Sequence, residues 1–258
     1  MTDFANMHTP GNPLLLPNAW DVASAVVIAD AGARAIATTS AGVAWAAGVP
    51  DGADLGAQEV ARLVERITAL VDVPVTADIE AGYADIADTV TSVLQAGAVG
   101  VNIEDRVGPR MFTPDEQAAR LAEARAAAEK LHLPLWINAR TDLYLVGAGT
   151  LEAAQERAEA YRGVADSIFV PGLVDLGVIA ELAKGPMPVS VMAWAGAPSV
   201  AEFTEAGVVR ISLGSAIAQS AYAVAARATT EMLTKGTYDE TGSGLDYGEL
   251  NKNLTRRR

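Results

Sequence analysis

The sequence predicts a single (β/α)8 barrel of the α/β class, and three observations carry that prediction. Short runs rich in Val, Ile and Leu alternate with longer Ala-rich helical segments along the 258 residues, which is typical of parallel strands joined by helical crossovers. Eight such runs can be counted, and eight β/α units in about 250 residues match the size of a closed barrel. Glycines recur where a helical segment gives way to a strand, at Gly32, Gly97 and Gly207, and each is expected at the left-handed position that follows a helix.

The predicted strands start near the N-terminus, alternate with helices, and are followed by a last long helix at about residues 215–233. They span residues 14–16, 35–38, 75–77, 100–103, 135–138, 167–170, 189–192 and 208–212. A doubly wound open sheet is the alternative, but no G-x-G-x-x-G follows the first strand to mark a dinucleotide site. We expect residues 1–258 to form one domain, with residues 1–12 as a peripheral N-terminal arm. Residues 236–258 are expected to form a peripheral polar tail, whose closing basic run is solvated and consists of Arg256, Arg257 and Arg258.

The charge and composition of the chain disfavour nucleic-acid and membrane partners and exclude cysteine chemistry. Nineteen Lys and Arg against 32 Asp and Glu give a formal net charge of −13, which repels phosphate backbones and anionic lipid headgroups. The chain has no cysteine, which excludes disulfides, thiolate metal sites and a cysteine nucleophile. No apolar run reaches the ~18 residues of a membrane span, and the N-terminal residues lack the pattern of a signal peptide. We therefore expect a cytoplasmic protein that binds neither nucleic acid nor membrane and acts on a small molecule.

Three acidic residues follow two neighbouring predicted strands. Asp78 and Glu80 come directly after the third strand, and Glu104 follows the fourth. Because the carboxyl ends of parallel strands share one rim of a barrel, these carboxylates should converge there and repel one another unless a proton or a cation intervenes. Oxygen ligands with no Cys or His beside them favour Mg²⁺, or Mn²⁺, over zinc. Helix capping is the alternative explanation, and for Asp105 and Asp142 capping or surface pairing has at least equal weight.

Residues suited to binding an anion follow other strands on the same rim. Arg140 comes after the fifth strand, where its guanidinium could bind a substrate carboxylate at two points or form a salt bridge to one of the rim acids. Four small or hydroxylic residues follow the second strand, namely Thr39, Ser40, Ala41 and Gly42. Their hydroxyl and backbone N–H groups can approach an anion closely. Asp51 lies in the next loop, where an ordinary Pro-Asp-Gly turn explains it nearly as well.

The order and spacing of these motifs resemble the isocitrate lyase / phosphoenolpyruvate mutase superfamily. The matching segments are residues 17–21 (PNAWD), 39–43 (TSAGV), 78–83 (DIEAGY), 102–105 (NIED), 138–140 (NAR) and 210–214 (RISLG). The resemblance implies a Mg²⁺-dependent (β/α)8 barrel that acts on 2-oxo acids and related dicarboxylates. It also implies a homotetramer whose subunits exchange the last barrel helix.

The resemblance further implies roles for individual residues. Asp78 falls where the family has its direct metal ligand, and Glu80 and Glu104 fall where acids hold the ion through water. The remaining implied roles are substrate binding by Thr39, Ser40, Ala41 and Arg140, and an acid near the metal at Asp51.

Two departures from the family pattern limit which of the family's reactions this chain could catalyse. Isocitrate and methylisocitrate lyases carry a lid with a catalytic cysteine, whereas residues 105–112 read DRVGPRMF, which excludes a cysteine-dependent lyase of that type. Phosphonate-forming mutases carry a Lys and an Asn on this lid, and neither occurs between Asp105 and Pro114. The mutase reaction is therefore disfavoured.

The leading hypothesis is a Mg²⁺-dependent carbon–carbon lyase or decarboxylase. It would act on a small 2-oxo or 2-hydroxy (di)carboxylate through an enolate, with Asp51 and Arg140 at the reacting centre and Tyr83 as a candidate proton donor. A phosphoenolpyruvate- or phosphonopyruvate-type mutase or hydrolase is the first alternative. A non-catalytic carboxylate-binding barrel is the alternative from another class.

Overall fold

Short strands alternate with helices along residues 4–255, the part of the chain that the computed structural model describes. The strands are β1 (Leu14–Leu16), β2 (Asn18–Ala19), β3 (Ile36–Thr38), β4 (Val75–Asp78), β5 (Gly100–Glu104), β6 (Arg106–Val107), β7 (Arg110–Met111), β8 (Trp136–Arg140), β9 (Ser167–Phe169), β10 (Val189–Met192) and β11 (Val208–Ser212). Within this range nine strands form one parallel sheet in the order β1-β11-β10-β9-β8-β5-β4-β3-β2. The other two, β6 and β7, form an antiparallel hairpin that was not predicted from the sequence.

The sheet closes through its first strand, which is divided at Pro17. β1 pairs with β11 on one side and β2 pairs with β3 on the other, so one chain segment joins the two ends of the sheet. Pro17 has no N–H to donate to the ladder, but its carbonyl oxygen accepts a hydrogen bond from the Ala37 N–H at 3.1 Å. The eight predicted strands coincide to within two residues with β1, β3, β4, β5 and β8–β11. The predicted (β/α)8 barrel is therefore confirmed.

Helices follow the strands around the outside of the barrel. They are α1 (Val22–Asp30), α2 (Ser40–Ala46), α3 (Ala57–Thr68), α4 (Ile86–Gln95), α5 (Pro114–Leu131), α6 (Leu151–Tyr161), α7 (Leu176–Leu182), α8 (Val200–Glu205), α9 (Ala216–Lys235) and α10 (Tyr247–Leu254). The N-terminus of α5 is fixed by a capping box, in which the side chains of Thr113 and Glu116 accept hydrogen bonds from each other's backbone N–H groups. Gly32, Gly97 and Gly207 follow the C-caps of α1, α4 and α8 with φ angles of 96°, 95° and 87°. The predicted left-handed turns are thus confirmed.

A short 3-10 helix closes the barrel at the amino ends of its strands. Phe4 and Met7 are buried there against Leu14 and Leu16 of β1. Their side chains fill the interior at the amino ends of the strands, as close packing of a small barrel requires. His8 is buried and its ring stacks on that of Trp136 with centroids 3.9 Å apart. Phe4, Met7 and His8 are thus buried, unlike the peripheral position predicted for residues 1–12, whereas residues 9–12 are exposed. The carboxyl rim is left as the open end.

The last two helices differ in how they contact the barrel. The predicted last long helix is found as α9, and among its residues only Ala218 and Glu231 are buried. Helix α10, in the predicted tail, packs against α1, with Asn253 donating a hydrogen bond to Asp30. Residues 256–258, the basic run, lie outside the described residues. None of the helices in the described part of the chain is long and apolar enough to cross a membrane.

Candidate active site at the carboxyl rim

Three neighbouring strands bring Asp78, Glu104 and Arg140 to the open rim. Asp78 ends β4, Glu104 ends β5 and Arg140 ends β8. Because β5 pairs in parallel with both other strands, Glu104 lies beside Arg140, and Asp78 lies beside Asn102. Residues two apart in a strand share a face, so Asn102 and Glu104 both face the barrel interior. The register of the sheet therefore assembles two carboxylates and one guanidinium at a single mouth.

Asp78 is held at the start of α2. Its Oδ2 accepts hydrogen bonds from the Ser40 backbone N–H at 3.3 Å and from the Ser40 hydroxyl at 3.1 Å, and its Oδ1 accepts one from the Glu80 N–H at 3.3 Å. The side chain is 10% exposed. These bonds are at the long end of the normal range and leave lone pairs on both oxygens. The carboxylate is thus positioned but retains capacity for a cation.

Glu80 lies in a turn with an unusual backbone. Glu80 and Tyr83 have φ angles of 51° and 53°, in the left-handed region that residues other than glycine rarely adopt and that is frequent at functional sites. The Tyr83 hydroxyl donates a hydrogen bond to Glu80 Oε1 at 3.1 Å. Burial and the charge of Asp78 raise the pKa of Glu80 to about 7. Burial and the charge of Glu80 raise the pKa of Tyr83 far above its usual value, so this hydroxyl keeps its proton at neutral pH.

Glu104 and Arg140 form a close pair. Nη1 of Arg140 lies 2.9 Å from Glu104 Oε2 and 4.0 Å from Asp78 Oδ2. Burial raises the pKa of Glu104 to about 8, although the charge of Arg140 opposes the shift. Burial lowers the pKa of Arg140, but the charges of Glu104 and Asp78 outweigh it and the net shift is upward. The salt bridge expected as an alternative role for Arg140 is present, and it leaves part of the guanidinium for other acceptors because Arg has five N–H donors.

Asp105 and Asp142 are satisfied within the protein. Both are completely buried. Asp105 accepts hydrogen bonds from Arg157 Nε at 2.8 Å and from the Asp142 N–H at 2.9 Å. Asp142 accepts from Arg140 Nε at 2.6 Å and from Arg106 Nε at 2.9 Å. The alternative of capping or surface pairing is therefore wrong for these two residues, because they form a buried ion network that holds Arg140 in place.

Two adjoining cavities open at the rim and share Ser40, Asp51 and Arg140. The inner cavity has a volume of about 170 Å³, and its further lining includes Thr39, Ala41, Asp78 and Asn102. The outer cavity has a volume of about 520 Å³, and its further lining includes Glu80, Tyr83, Glu104 and Arg106. Asp51 as a residue is exposed. Its carboxyl is nevertheless partly shielded from solvent, and this shielding together with the charge of Asp78 raises its pKa. The structure thus brings the predicted site residues together around these cavities, with the exception of Gly42.

Gly42 has a packing role in the structure. A Cβ at this position would lie 2.7 Å from Cβ of Trp20 and 3.4 Å from Cβ of Ala218. The absence of a side chain therefore lets α2 approach the segment before α1 and the start of α9. The substrate contact predicted for Gly42 has no counterpart in the lining of either cavity.

Some lining residues were not predicted from the sequence. Asn18, Asn102 and Ser212 line the inner cavity, and Arg106 lines the outer one. For Asn102 a signal was present, because it precedes Glu104 by two residues and so shares its face of the strand. Arg106 opens the β6–β7 hairpin, where its Nη1 donates to the Gly108 carbonyl at 2.9 Å. A two-residue strand gives too short a pattern to be recognised in a sequence.

The donors at the rim fit a hard divalent cation. In residues 4–255 no three His, Cys, Asp or Glu side chains lie close enough together to form a metal site by themselves. Asp78, Glu80 and Glu104 offer only oxygen ligands, and an ion held here would complete its coordination with water, as Mg²⁺ commonly does. Burial and the negative charge of neighbouring acids raise the pKa of Glu80 and of Glu104. A cation such as Mg²⁺ would lower both pKa values, because it offsets that negative charge.

Comparisons with known proteins agree on one family. The sequence profile described as phosphoenolpyruvate phosphomutase matches residues 4–233. The 2-methylisocitrate lyase of Escherichia coli strain K12 is 30% identical over 204 residues, which cover 69% of this chain and 67% of that protein. An uncharacterised protein of Mycobacterium tuberculosis strain H37Rv is 35% identical over 259 residues, covering 97% of this chain and 95% of that protein. Among solved structures, a candidate lyase/mutase of Burkholderia cenocepacia J2315 superposes with a TM-score of 0.91 at 34% identity, covering 98% of this chain and 94% of that one.

Proposed function

The chain belongs to the phosphoenolpyruvate phosphomutase family, within the isocitrate lyase / phosphoenolpyruvate mutase superfamily, and on this premise we propose that it is a Mg²⁺-dependent carbon–carbon lyase or decarboxylase. Its substrate would be a small 2-oxo or 2-hydroxy (di)carboxylate, cleaved through an enolate. The observation that carries the proposal is the meeting of Asp78, Glu80 and Glu104 with Arg140 around two adjoining cavities. Bound at the rim, a divalent ion would polarise the substrate carbonyl and stabilise negative charge on its oxygen.

The groups that would bind the substrate carboxylate lie at the junction of the two cavities. Nε and Nη2 of Arg140 donate to Asp142, and Nη1 contacts Glu104, so two of the five guanidinium N–H donors remain for a ligand. Thr39 makes no capping hydrogen bond with its side chain, which leaves its hydroxyl for an acceptor in the inner cavity. Positive charge and hydroxyl donors on one side of a cavity are what an anionic carboxylate requires.

We assign the proton that the cleaved carbon receives to the Tyr83 hydroxyl. Tyr83 lines the outer cavity, and its hydroxyl is protonated at neutral pH and is oriented by its hydrogen bond to Glu80. Replacement of Tyr83 by Phe removes the proton and leaves the ring, so kcat should fall by about 100-fold while KM changes little. An unchanged kcat in this variant, measured by steady-state kinetics, would assign the proton transfer to another group.

A second candidate is a phosphoenolpyruvate- or phosphonopyruvate-type mutase or hydrolase. The match to the phosphoenolpyruvate phosphomutase profile favours it, and the same acidic rim and cationic Arg140 could hold a phosphorylated 2-oxo acid. The lack of Lys and Asn between Asp105 and Pro114 counts against it.

A substrate screen separates these candidates. Oxaloacetate, 2-methylisocitrate, 2,3-dimethylmalate, phosphonopyruvate and phosphoenolpyruvate would each be incubated with the protein and Mg²⁺, with and without EDTA. We expect cleavage of a carboxylic acid that stops when EDTA removes the metal. Turnover of the phosphorus compounds alone would support the second candidate, and stabilisation of the fold by a carboxylate without any product would support the non-catalytic barrel.

We also propose that the protein is a homo-oligomer, with α9 as the contact element. Helix α9 leaves apolar side chains exposed along its length, including Tyr222, Val224, Met232 and Leu233. Exposed apolar surface of this extent on a barrel helix is typical of a subunit interface. A tetramer that exchanges this helix predicts about four times the chain's mass of 26.7 kDa by light scattering, and a monomer would contradict the proposal.

A further inference from the structure

A chain of hydrogen bonds crosses the barrel interior beneath the inner cavity. It begins at Trp136, whose Nε1–H donates to Ser167 Oγ at 3.1 Å. The Ser167 hydroxyl donates to Asn138 Oδ1 at 2.6 Å, and Asn138 Nδ2 donates to Asn102 Oδ1 at 2.8 Å. From the other side, Arg210 Nη2 donates to the same Asn102 oxygen at 2.9 Å. Asn102 is thus the point where two sets of donors meet.

The direction of this chain is fixed at both ends. An indole N–H and a guanidinium can donate hydrogen bonds but cannot accept them. Ser167 must therefore accept from Trp136, so its own proton goes to Asn138, and that amide must turn its NH₂ group towards Asn102. Arg210 independently requires an oxygen at the same position. The side-chain amide of Asn102 is therefore oriented by two donors, and exchanging its N and O atoms would place donor against donor twice.

The NH₂ group of Asn102 is consequently left for the inner cavity. Asn102 is 4% exposed, and it lines that cavity together with Asp78 and Arg140. Within residues 4–255 its Nδ2 has no hydrogen-bond acceptor, yet it is not among the polar atoms sealed in the core without a partner. A ligand that fills the cavity would meet two N–H donors at this point, and the matching group is an oxygen acceptor.

Arg210 adds positive charge below the same point. Its side chain is 1% exposed, and in the described part of the chain no carboxylate forms a salt bridge with it, so that the more distant charge of Asp78 compensates its burial only in part. Two of its nitrogens, Nε and Nη1, have no partner in that part of the chain. A buried cation without a counter-ion is costly, and a negative ligand nearby reduces that cost. The oxygen that Asn102 binds is therefore expected to carry negative charge.

We propose that Asn102 is a substrate-binding residue, whose Nδ2 donates a hydrogen bond to a carboxylate or enolate oxygen in the inner cavity, and that Arg210 is the residue that positions it. This inference deepens the function proposed above and rests on it. It places one anionic oxygen of the substrate against the floor of the inner cavity, on the same side of the rim as Asp78.

The test is the affinity for oxalate, a planar dianion that resembles the enolate of a 2-oxo acid, measured by calorimetry in the presence of Mg²⁺. Asn102→Asp keeps the oxygen that Arg210 and Asn138 contact but replaces the donor at the cavity by a second carboxylate oxygen. We expect affinity to fall at least about tenfold, because a charge-assisted hydrogen bond is replaced by repulsion. Asn251→Asp is the matched control, since it makes the same amide-to-carboxylate change at an exposed residue of α10 that lines neither cavity. It should weaken binding much less.

Two further variants test the positioning role of Arg210. Arg210→Met removes the donor that fixes Asn102, and we expect weaker oxalate binding even if the variant is as stable as the wild type. Arg210→Lys retains the positive charge and can still donate a hydrogen bond to Asn102, so it should bind oxalate more tightly than Arg210→Met. A role in stability alone would change the melting temperature and leave the affinity for oxalate unaltered.

A direct readout is the side-chain amide signal of Asn102 in a ¹⁵N NMR spectrum, identified by its absence in Asn102→Asp. It should shift when oxalate binds to the wild type. Equal oxalate affinity in wild type and folded Asn102→Asp, or no oxalate binding by the wild type, would overturn the inference. Oxalate binding that depends on Asn102, combined with no turnover in the substrate screen, would instead support the inference while the proposed reaction fails.

Discussion

Two groups of carboxylates lie near the same rim of the barrel and have different surroundings. Asp105 and Asp142 are fully buried, and each accepts short hydrogen bonds from an arginine. Glu80 and Glu104 face a cavity, and burial raises the pKa of both, to about 7 and about 8. Acids that follow neighbouring strands thus differ in their surroundings, because arginines hold Asp105 and Asp142 in the core, whereas Glu80 and Glu104 border a cavity in which a cation could bind.

The largest expected effect is on activity and follows from the carboxylates that face the cavities. Asp78→Ala and Glu104→Gln should each lower Mg²⁺-dependent kcat/KM by at least about 100-fold, since each removes negative charge from the proposed cation site. For Glu104→Gln the free energy of unfolding should not fall, because the change removes repulsion among the rim acids. For Asp78→Ala a modest fall is expected, because the three hydrogen bonds that Asp78 accepts are lost as well. Steady-state kinetics and urea unfolding measure the two quantities.

The control for these variants is Asp115→Asn, an exposed acid in the first turn of α5 that lines neither cavity. It should retain wild-type activity. If Asp78→Ala and Glu104→Gln are also as active as the wild type, the separation between the two groups of acids has no functional meaning.

The next effect is on stability and concerns the buried pair. Asp105→Ala leaves Arg157 buried without the carboxylate that it contacts at 2.8 Å, and the free energy of unfolding should fall by about 3–5 kcal/mol. Double replacement of Asp105 and Arg157 by apolar residues of similar volume should recover much of that loss. Equilibrium unfolding in urea provides the measurement, and a single variant as stable as the wild type would show that this pair does not hold the rim.

A smaller effect on stability is expected from pH, and it concerns the cavity-facing acids. Glu80 and Glu104 have pKa values of about 7 and about 8 in the folded protein against the ordinary 4.5, so the folded state binds their protons more tightly than the unfolded state. This contribution to stability is complete below the ordinary pKa and is lost as the pH rises through 7 and 8.

In EDTA, therefore, the free energy of unfolding should decrease between about pH 5 and pH 8, and Mg²⁺ should reduce the decrease because a bound cation takes the place of the protons. Urea titrations at several pH values, with Glu104→Gln as the variant that should show a flatter profile, measure this. Stability that increases over this range without metal would mean that the rim carboxylates are already satisfied by donors in the protein.

The barrel could be predicted from the sequence because the residues that define each strand and helix lie close together along the chain. Runs such as Val208–Ser212 are buried along their whole length, and each is bounded by a glycine turn or a capped helix, so both ends of the element are encoded nearby. The division of the first strand was not predicted. A proline in a sequence shows that one backbone hydrogen bond of the sheet is missing, but it does not show that the segments before and after it pair with different strands.

The site could be predicted only in part, for a different physical reason. Acidic residues after strands can be read from the sequence, but the partner of each acid lies far along the chain. Arg157 reaches Asp105 across 52 positions, and Arg210 reaches Asn102 across 108. No pattern within one strand reveals such contacts, which is why the buried ion pair of Asp105 was not predicted and why Asn102 was missed.

The proposed binding of a divalent cation by Asp78, Glu80 and Glu104 is tested most directly by the free energy of unfolding as a function of Mg²⁺ concentration. For the wild type we expect a gain of about 2.7 kcal/mol when Mg²⁺ reaches 100 times its Kd. Asp78→Ala should gain almost nothing at the same concentration, whereas Asp115→Asn should gain as much as the wild type. Equal stabilisation of Asp78→Ala and the wild type by Mg²⁺ would contradict the claim.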